Sequence, residues 1–306
     1  MDIRTIFMGS PDFALPSLKA LHDHTQIVGV VTQPDRPSGR GRTLTPPPVK
    51  RLAQEMGLQV FQPASLRKAE AVAPLAALEP DLIVVAAFGQ ILRQNVLDLP
   101  KYGCINVHAS LLPRWRGAAP INAAILHGDA ETGVTIMKMD AGLDTGPIIS
   151  MQAIAISPTE TAGELSDKLA VLGADLLVKT LPQYLSGEIT PTPQPEDGST
   201  YAPMLSIQDG KLDFQQDAES LARKVRAFNP WPGTFTTWKG KPLKIHQAYA
   251  IKSQPGTPGT HTLADDLPAI HCGQGTLVLE SLQPAGKKAM AGDVFLNGAR
   301  DWQKTA

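Results

Sequence analysis

Cysteine is scarce in this chain: 306 residues hold two, Cys104 and Cys272, far apart in the sequence. That count and spacing argue against a disulfide framework and a Cys/His metal cluster, and packing is the expected role, with a nucleophilic Cys104 two residues from Asn106 as the alternative. Long apolar runs are missing too. The longest clear one, Leu82 to Phe88, is far too short to span a bilayer. Near the start, Ile6-Phe7-Met8 is broken at once by Gly9-Ser10-Pro11, so no signal peptide is recognised and a reducing, cytoplasmic location is expected. That same tripeptide is no Gly-x-Gly-x-x-Gly fingerprint, and its proline would disturb the turn, which argues against dinucleotide binding. Excess charge is also lacking. With 28 Lys and Arg against 29 Asp and Glu, the net charge of −1 argues against uniform polyanion binding.

What is present is an alternation of apolar runs and helical patterns. Ile3 to Met8, Ile27 to Thr32 and Leu82 to Ala87 read as strands, and Ala14 to Leu21 and Ala162 to Leu185 as helices. Such alternation predicts an α/β fold with a doubly wound, Rossmann-like sheet in the N-terminal domain. The proline-rich, acidic stretch Thr190-Pro191-Thr192-Pro193-Gln194-Pro195-Glu196-Asp197-Gly198 predicts an extended, solvated connector. The chain then divides into 1–189, a linker over 190–205, and 206–306. In the last part, Ala218 to Ala227 reads as a helix with Leu221, Val225 and Phe228 at helical spacing. Short strands follow at Gly233 to Trp238, Leu243 to His246 and Leu277 to Leu279, and predict a small β-barrel. From Ser206 onward there are 12 Lys and Arg and 9 Asp and Glu, or +3; the remaining 16 and 20 give −4. A basic second domain beside an acidic first suits a nucleic acid gripped at few points, with Lys239, Lys241, Lys244, Lys287 and Lys288 either facing phosphate or simply solvated.

Chemistry concentrates between Gly103 and Gly146. In Cys104-Ile105-Asn106-Val107-His108 the polar residues recur at period two, so a strand presents Asn106 and His108 on one face. Asp144 follows on the loop Asp140-Ala141-Gly142-Leu143-Asp144-Thr145-Gly146, after the strand-like Gly133 to Met137. Acyl transfer to an amine needs these parts: an amide N–H for the oxyanion, an imidazole for charge and proton transfer, and a carboxylate to orient the imidazole. No serine or cysteine nucleophile is required. The competing reading makes His108 a satisfied strand-end histidine and Asp144 a turn residue.

A second cluster runs from Asp35 to Arg51. Arg36, Arg40, Arg42, Lys50 and Arg51 face the single acid Asp35, and Gly39, Gly41, Pro37 and Pro46 to Pro48 argue against regular helix or strand. A flexible cationic arm results, suited to phosphate and unpaired bases, with an ordinary surface loop as the alternative.

His108 is followed by Ser110-Leu111-Leu112-Pro113-Arg114-Trp115-Arg116-Gly117-Ala118-Ala119-Pro120-Ile121. This string resembles the signature of the 10-formyltetrahydrofolate-dependent formyltransferases, in the form of those acting on methionyl-tRNA. Phe7 to Ala14, Thr32 to Pro37 with Gly39 to Arg42, Arg226 to Gly233 and Leu282 to Lys288 match the same family, so the resemblance spans nearly the whole chain. Ser10 where the family usually has Thr, and Ala109 where many members have Gly, are mild departures. The resemblance implies Asn106, His108 and Asp144 as catalytic residues. It also implies a folate site at Ser110, Leu111, Leu112 and Pro113, with Phe88, Gly89, Gln90, Ile91 and Leu92 lending backbone to the pterin pocket. An arm at Arg36, Arg40 and Arg42, with Arg40 prominent, is implied to enter the acceptor stem of initiator tRNA, and the C-terminal part is implied to be an OB-like barrel. The implied reaction moves a formyl group from 10-formyltetrahydrofolate to the α-amine of methionyl initiator tRNA in a monomer, with no metal. Three rivals share parts of this pattern: transfer to a small amine, hydrolysis of formyltetrahydrofolate, and a catalytically silent RNA-binding protein.

Overall fold

A computed structural model describes residues 2–38, 43–252 and 256–304. Its strands, in chain order, are β1 Arg4–Gly9, β2 Gln26–Val31, β3 Arg36–Ser38, β4 Thr43–Thr45, β5 Val60–Phe61, β6 Leu82–Ala86, β7 Cys104–His108, β8 Arg116–Gly117, β9 Glu131–Lys138, β10 Ile148–Ala155, β11 Tyr201–Ala202, β12 Thr234–Trp238, β13 Lys241–Ile251, β14 His261–Ala264, β15 Leu267–His271, β16 Thr276–Pro284 and β17 Met290–Ala291. The helices are α1 Leu15–His24, α2 Pro48–Glu55, α3 Ala69–Ala76, α4 Gln94–Leu97, α5 Pro120–Leu126, α6 Ala162–Leu185, α7 Ala218–Ala227 and α8 Gly292–Gly298. Helices α6 and α7 fall where the apolar spacing predicts them.

Seven strands form the first sheet in the order β10-β9-β7-β6-β1-β2-β5. The pairs from β7 through β6, β1 and β2 to β5 are parallel, whereas β7/β9 and β9/β10 are antiparallel. Strand β6 is buried along its whole length, as a central parallel strand covered on both faces must be. One face packs Ile6, Met8, Ile83, Val85 and Cys104 against Val72 and Leu75 of α3 and Val96 of α4. The opposite face receives α6. A Cβ on Gly173 would lie 2.7 Å from Val107 Cγ1, so glycine permits that close approach. Helices on both faces confirm the α/β, doubly wound architecture.

Contacts divide the chain into two units: Met1–Pro120 with Glu131–Ala155 and Ser166–Ala202, and Ile121–Ala130 with Ile156–Leu165 and Pro203–Ala306. The expected connector therefore needs correction over most of its length. Thr192 exchanges two backbone bonds of 2.8 Å with Ile148, and β11 pairs with β8, so the segment up to Ala202 is part of the first unit. Its prolines make it extended, and an extended strap can pair along a surface as readily as cross solvent. The second unit also recruits two short segments, Ile121–Ala130 and Ile156–Leu165, that interrupt the first unit in the sequence. Asn122 Nδ2 donates to Ala227 O at 2.6 Å and Gly163 N to Asn229 O at 3.0 Å, tying both segments to the end of α7.

The second unit is β-rich, with strand order β12-β13-β16-β15-β14 and β17 alongside β16. Leu221 and Val225 of α7 pack with Leu243, Ile245, Leu277, Leu279, Phe295 and Trp302 to form its core. Trp302 meets Phe295 edge to face at 5.5 Å and stacks on His261 at 3.8 Å. The expected barrel does not close: among the described residues the end strands β12 and β14 are not paired with each other, and the sheet remains an open path.

Candidate active site

Strand β7 runs between β6 and β9, with Asn106 opposite Val85 and Met137 and His108 opposite Thr135. Period-two alternation puts Asn106 and His108 on the same face, as the sequence predicts. His108 is 5% exposed, and its two ring nitrogens have different tasks. Nε2 lies 3.0 Å from the carbonyl oxygen of Trp115, which can only accept, so Nε2 carries a proton. Nδ1 lies 3.7 Å from Asp144 Oδ2, within ion-pair distance but beyond a direct hydrogen bond. The sequence expectation that Asp144 orients the ring is thus modified: the Trp115 carbonyl makes the orienting bond. Asp144 confronts the nitrogen that remains available.

The turn after β7 is built to deliver that carbonyl. Thr135 Oγ1 donates to Ser110 O at 2.6 Å and accepts from Leu112 N at 3.1 Å, so the strand facing His108 also grips the following loop. Ser110 Oγ donates to Arg114 O at 2.6 Å, and Trp115 N donates to Thr200 Oγ1 at 2.8 Å. Trp115 adopts φ 61° and is buried, with the Arg114 guanidinium 4.3 Å from its ring centroid. Its burial makes the Trp115 side chain part of the packing.

Asp144 has φ 53°, a left-handed conformation that aspartate tolerates better than most residues. Its Oδ2 accepts from Gly117 N at 2.8 Å, and its Oδ1 faces Asn106 Nδ2 at 3.5 Å. Gly117 has φ 111°, and a Cβ there would lie 2.6 Å from Ala202 O, so only glycine fits this donor position. All three predicted catalytic residues are therefore brought together. Sequence reasoning missed the residues that hold them: Trp115 through its carbonyl, Gly117 through its N–H, Thr135, Thr200, and Gln194, whose amide reaches Asp144 O at 2.8 Å. The Trp115 carbonyl leaves no mark on residue identity, the glycine at 117 shows only a special backbone and not its partner, and Gln194 looks solvated among prolines.

Cys104 shares the face of Asn106 but is packed in the core, where burial pushes its thiol up to about 12. A nucleophilic thiolate there is excluded. Cys272 is likewise pushed up, to about 11, chiefly by burial.

The residues implied for folate fall into two groups. Ser110, Leu112, Phe88 and Leu92 are buried, so their side chains are structural and backbone is what they can offer. Gln90 is also occupied, accepting from Leu66 N at 3.2 Å and donating to Pro63 O at 3.0 Å. Leu111 and Pro113 are partly exposed, Gly89 is exposed, and Ile91 is 72% exposed. Phe88 and Gly89 line a cavity of about 410 Å³ together with Ser10, Gln33, Arg36 and Pro46. It opens at the carboxyl ends of β1, β2 and β6, where open α/β sheets bind ligands. Ser10 Oγ donates to Phe88 O at 3.2 Å and accepts from Gln33 N at 3.1 Å, so the departure from threonine keeps the hydroxyl's bonds.

The cationic segment also needs correction. Arg36–Ser38 and Thr43–Thr45 form an antiparallel ribbon despite Pro37, whose missing N–H is harmless on an edge. Lys50 and Arg51 belong to α2, which starts at Pro48 because proline suits a first helical turn. Lys50 Nζ is held by Asp35 at 2.8 Å, and Gln62 Nε2 donates to Asp35 at 2.7 Å. Those two bonds, the glutamine's first, hold the Asp35 carboxyl below its ordinary 3.8. Arg36 is exposed and donates to Gln33 Oε1 at 3.2 Å. Arg40 and Arg42 lie outside the described residues. In the second unit, Lys239 is paired with Asp301 at 2.6 Å.

Among the described residues no helix is long and apolar enough to cross a membrane, and no cluster of His, Cys, Asp and Glu could hold a metal ion.

A largely parallel α/β sheet with Asn and His on one strand, an Asp on a loop facing them and a Leu-Leu-Pro turn alongside defines a class. The family described as "Formyl transferase" matches residues 2–181, and "Formyl transferase, C-terminal domain" matches residues 204–300. The chain is 52% identical to a methionyl-tRNA formyltransferase of Myxococcus xanthus, over 96% of this chain and 95% of that protein. It is also 52% identical to the methionyl-tRNA formyltransferase of Halorhodospira halophila, over 98% of this chain and 97% of that protein. The chain belongs to the formyl transferase family, in its methionyl-tRNA formyltransferase branch. At the level of fold alone, it resembles WlaRD, a sugar 3N-formyl transferase, with TM-score 0.67 and 19% identity over 94% of this chain and all of that one. HypX from Aquifex aeolicus gives TM-score 0.62 at 20% identity over 97% of this chain, which spans about half of that protein's length.

Proposed function

We propose that this protein transfers the formyl group of 10-formyltetrahydrofolate to the α-amine of methionine esterified to initiator tRNA. The observation that carries the reading is the convergence of Asn106, His108 Nδ1 and the Asp144 carboxylate on one face of β7. The amine lone pair attacks the formyl carbon, and the carbonyl electrons move to oxygen. Asn106 Nδ2 has two N–H groups; one is directed at Asp144, and the other serves the oxyanion. Because Nε2 is committed to Trp115, proton transfer at His108 passes through Nδ1, on the side of Asp144. The amine proton finally goes to N10 of the folate, which departs as an amine. Orientation and electrostatics are the protein's contribution.

The cavity beside Ser10 and Phe88 lies two strands from β7, about 10 Å at the usual strand spacing, and suits the acceptor end. Leu111 and Pro113, with the backbone of 88–92, serve the folate. Arg36, Arg40 and Arg42 grip the acceptor stem, and the second unit, as an open OB-like sheet, holds tRNA through Lys241, Lys244, Lys287 and Lys288. The enzyme acts as a cytoplasmic monomer.

The test is transfer of labelled formyl to charged initiator tRNA, beside free methionine and glycinamide ribonucleotide as competing acceptors. Label confined to the tRNA supports the reading. Label on a small amine, or released as formate, would leave the catalytic trio but remove the acceptor.

A further inference from the structure

We infer that Gln194 is a positioning residue of the active site, acting on Asp144 from a segment that reads as a linker; the inference rests on the catalytic reading above. Gln194 Nε2 donates to the carbonyl oxygens of Asp144 at 2.8 Å and Gly146 at 2.7 Å, and its Oε1 accepts from Arg116 Nε at 3.0 Å. The partners fix the amide's orientation on chemical grounds. Carbonyls only accept and an arginine Nε–H only donates, so the nitrogen must face the former and the oxygen the latter.

The clamp closes on itself. Arg116 holds Gln194, and its neighbour Gly117 donates to the Asp144 carboxylate at 2.8 Å, so one two-residue strand braces both the backbone and the side chain of the 140–147 loop. Gln194 is itself held by a stiff strap. Pro193 and Pro195 flank it, and Thr192 exchanges two 2.8 Å bonds with Ile148. The residue it braces needs bracing, since Asp144 sits at φ 53° next to the exposed stretch 140–143 of its loop. Only a glutamine side chain satisfies all three partners. Glutamate would set oxygen against two carbonyls, and asparagine is one methylene too short.

Steady-state kinetics on the full chain, with charged tRNA and 10-formyltetrahydrofolate, test this. Gln194→Ala is expected to lower kcat by about 10- to 100-fold, the scale of a 1 Å misplacement, with both KM values unmoved. Gln194→Glu, nearly isosteric, should fall as far, and it carries the comparison if the alanine variant does not fold. In an Asp144→Asn background, Gln194→Ala should cost little more, because residues that act as a unit are non-additive. Undiminished turnover in Asp144→Asn overturns the catalytic reading and this inference with it. A loss in Asp144→Asn beside a fully active Gln194→Ala, or strictly multiplicative losses, overturns the inference alone.

Discussion

Asp35 and Asp144 are two loop aspartates of the first unit, each contacted by a glutamine, and they are held in opposite ways. Gln62 and Lys50 bind the carboxylate of Asp35 itself, so its charge is consumed in anchoring the root of the cationic ribbon. Gln194 binds the backbone of Asp144 and leaves the carboxylate to Gly117, Asn106 and His108. A carboxylate with a lysine at 2.8 Å is a structural tie. One held by a single short N–H bond, with an imidazole at 3.7 Å, keeps a share of its charge for chemistry.

The comparison can be broken most severely at the Asp144 end. Asn106→Ala should lower kcat by about 100- to 1000-fold while circular dichroism and the thermal midpoint stay close to the parent, as expected for loss of one oxyanion donor. Near-normal turnover would take Asn106 out of the mechanism. Gly117→Ala is next: a side chain at φ 111° and 2.6 Å from Ala202 O should cost about 1–3 kcal/mol in denaturant unfolding and displace the donor to Asp144. An unchanged midpoint would show that the β8–β11 ladder yields freely.

At the Asp35 end the effects are smaller. Arg40→Ala should raise KM for tRNA and reduce the salt slope by about 1, with turnover of bound substrate kept. If the salt dependence is unchanged, the arm is an ordinary surface loop. Asp35→Asn should act on stability with a definite sign. The folded-state pKa of Asp35 lies below 3.8, so its contribution is complete above that value and fades as pH falls through the lower, folded one. The variant and parent should therefore differ in thermal midpoint at pH 7 and converge in strong acid. A difference that grows on acidification would reverse the assignment. The smallest effect belongs to Cys104→Ala: a thiol pushed up to about 12 is protonated at working pH, and kcat should not change.

Much of this molecule was legible in its residues. Period-two alternation placed Asn106 and His108 together, helical spacing located α6 and α7, and the strand-helix alternation implied the parallel sheet. The strands β10, β14 and β15 were not read, since their mixed sequences carry no decisive period. The arm was read as irregular because glycine and proline argue against interior structure, yet a two-stranded ribbon and a helix start accommodate proline.

The sequence by itself determined which three polar residues stand together as the proposed trio, the doubly wound sheet, the scarcity of reactive thiol and the family. Those depend on residue type and local period, which a string of letters carries. Tertiary structure alone decided that the Trp115 carbonyl orients His108, that Gly117 and Gln194 hold Asp144, that most of the connector is part of the first unit, and that the second sheet stays open. These are hydrogen bonds to backbone and pairings between distant segments. Every residue but proline offers the same N–H and every residue the same C=O, so only the path of the folded chain determines which of them meet.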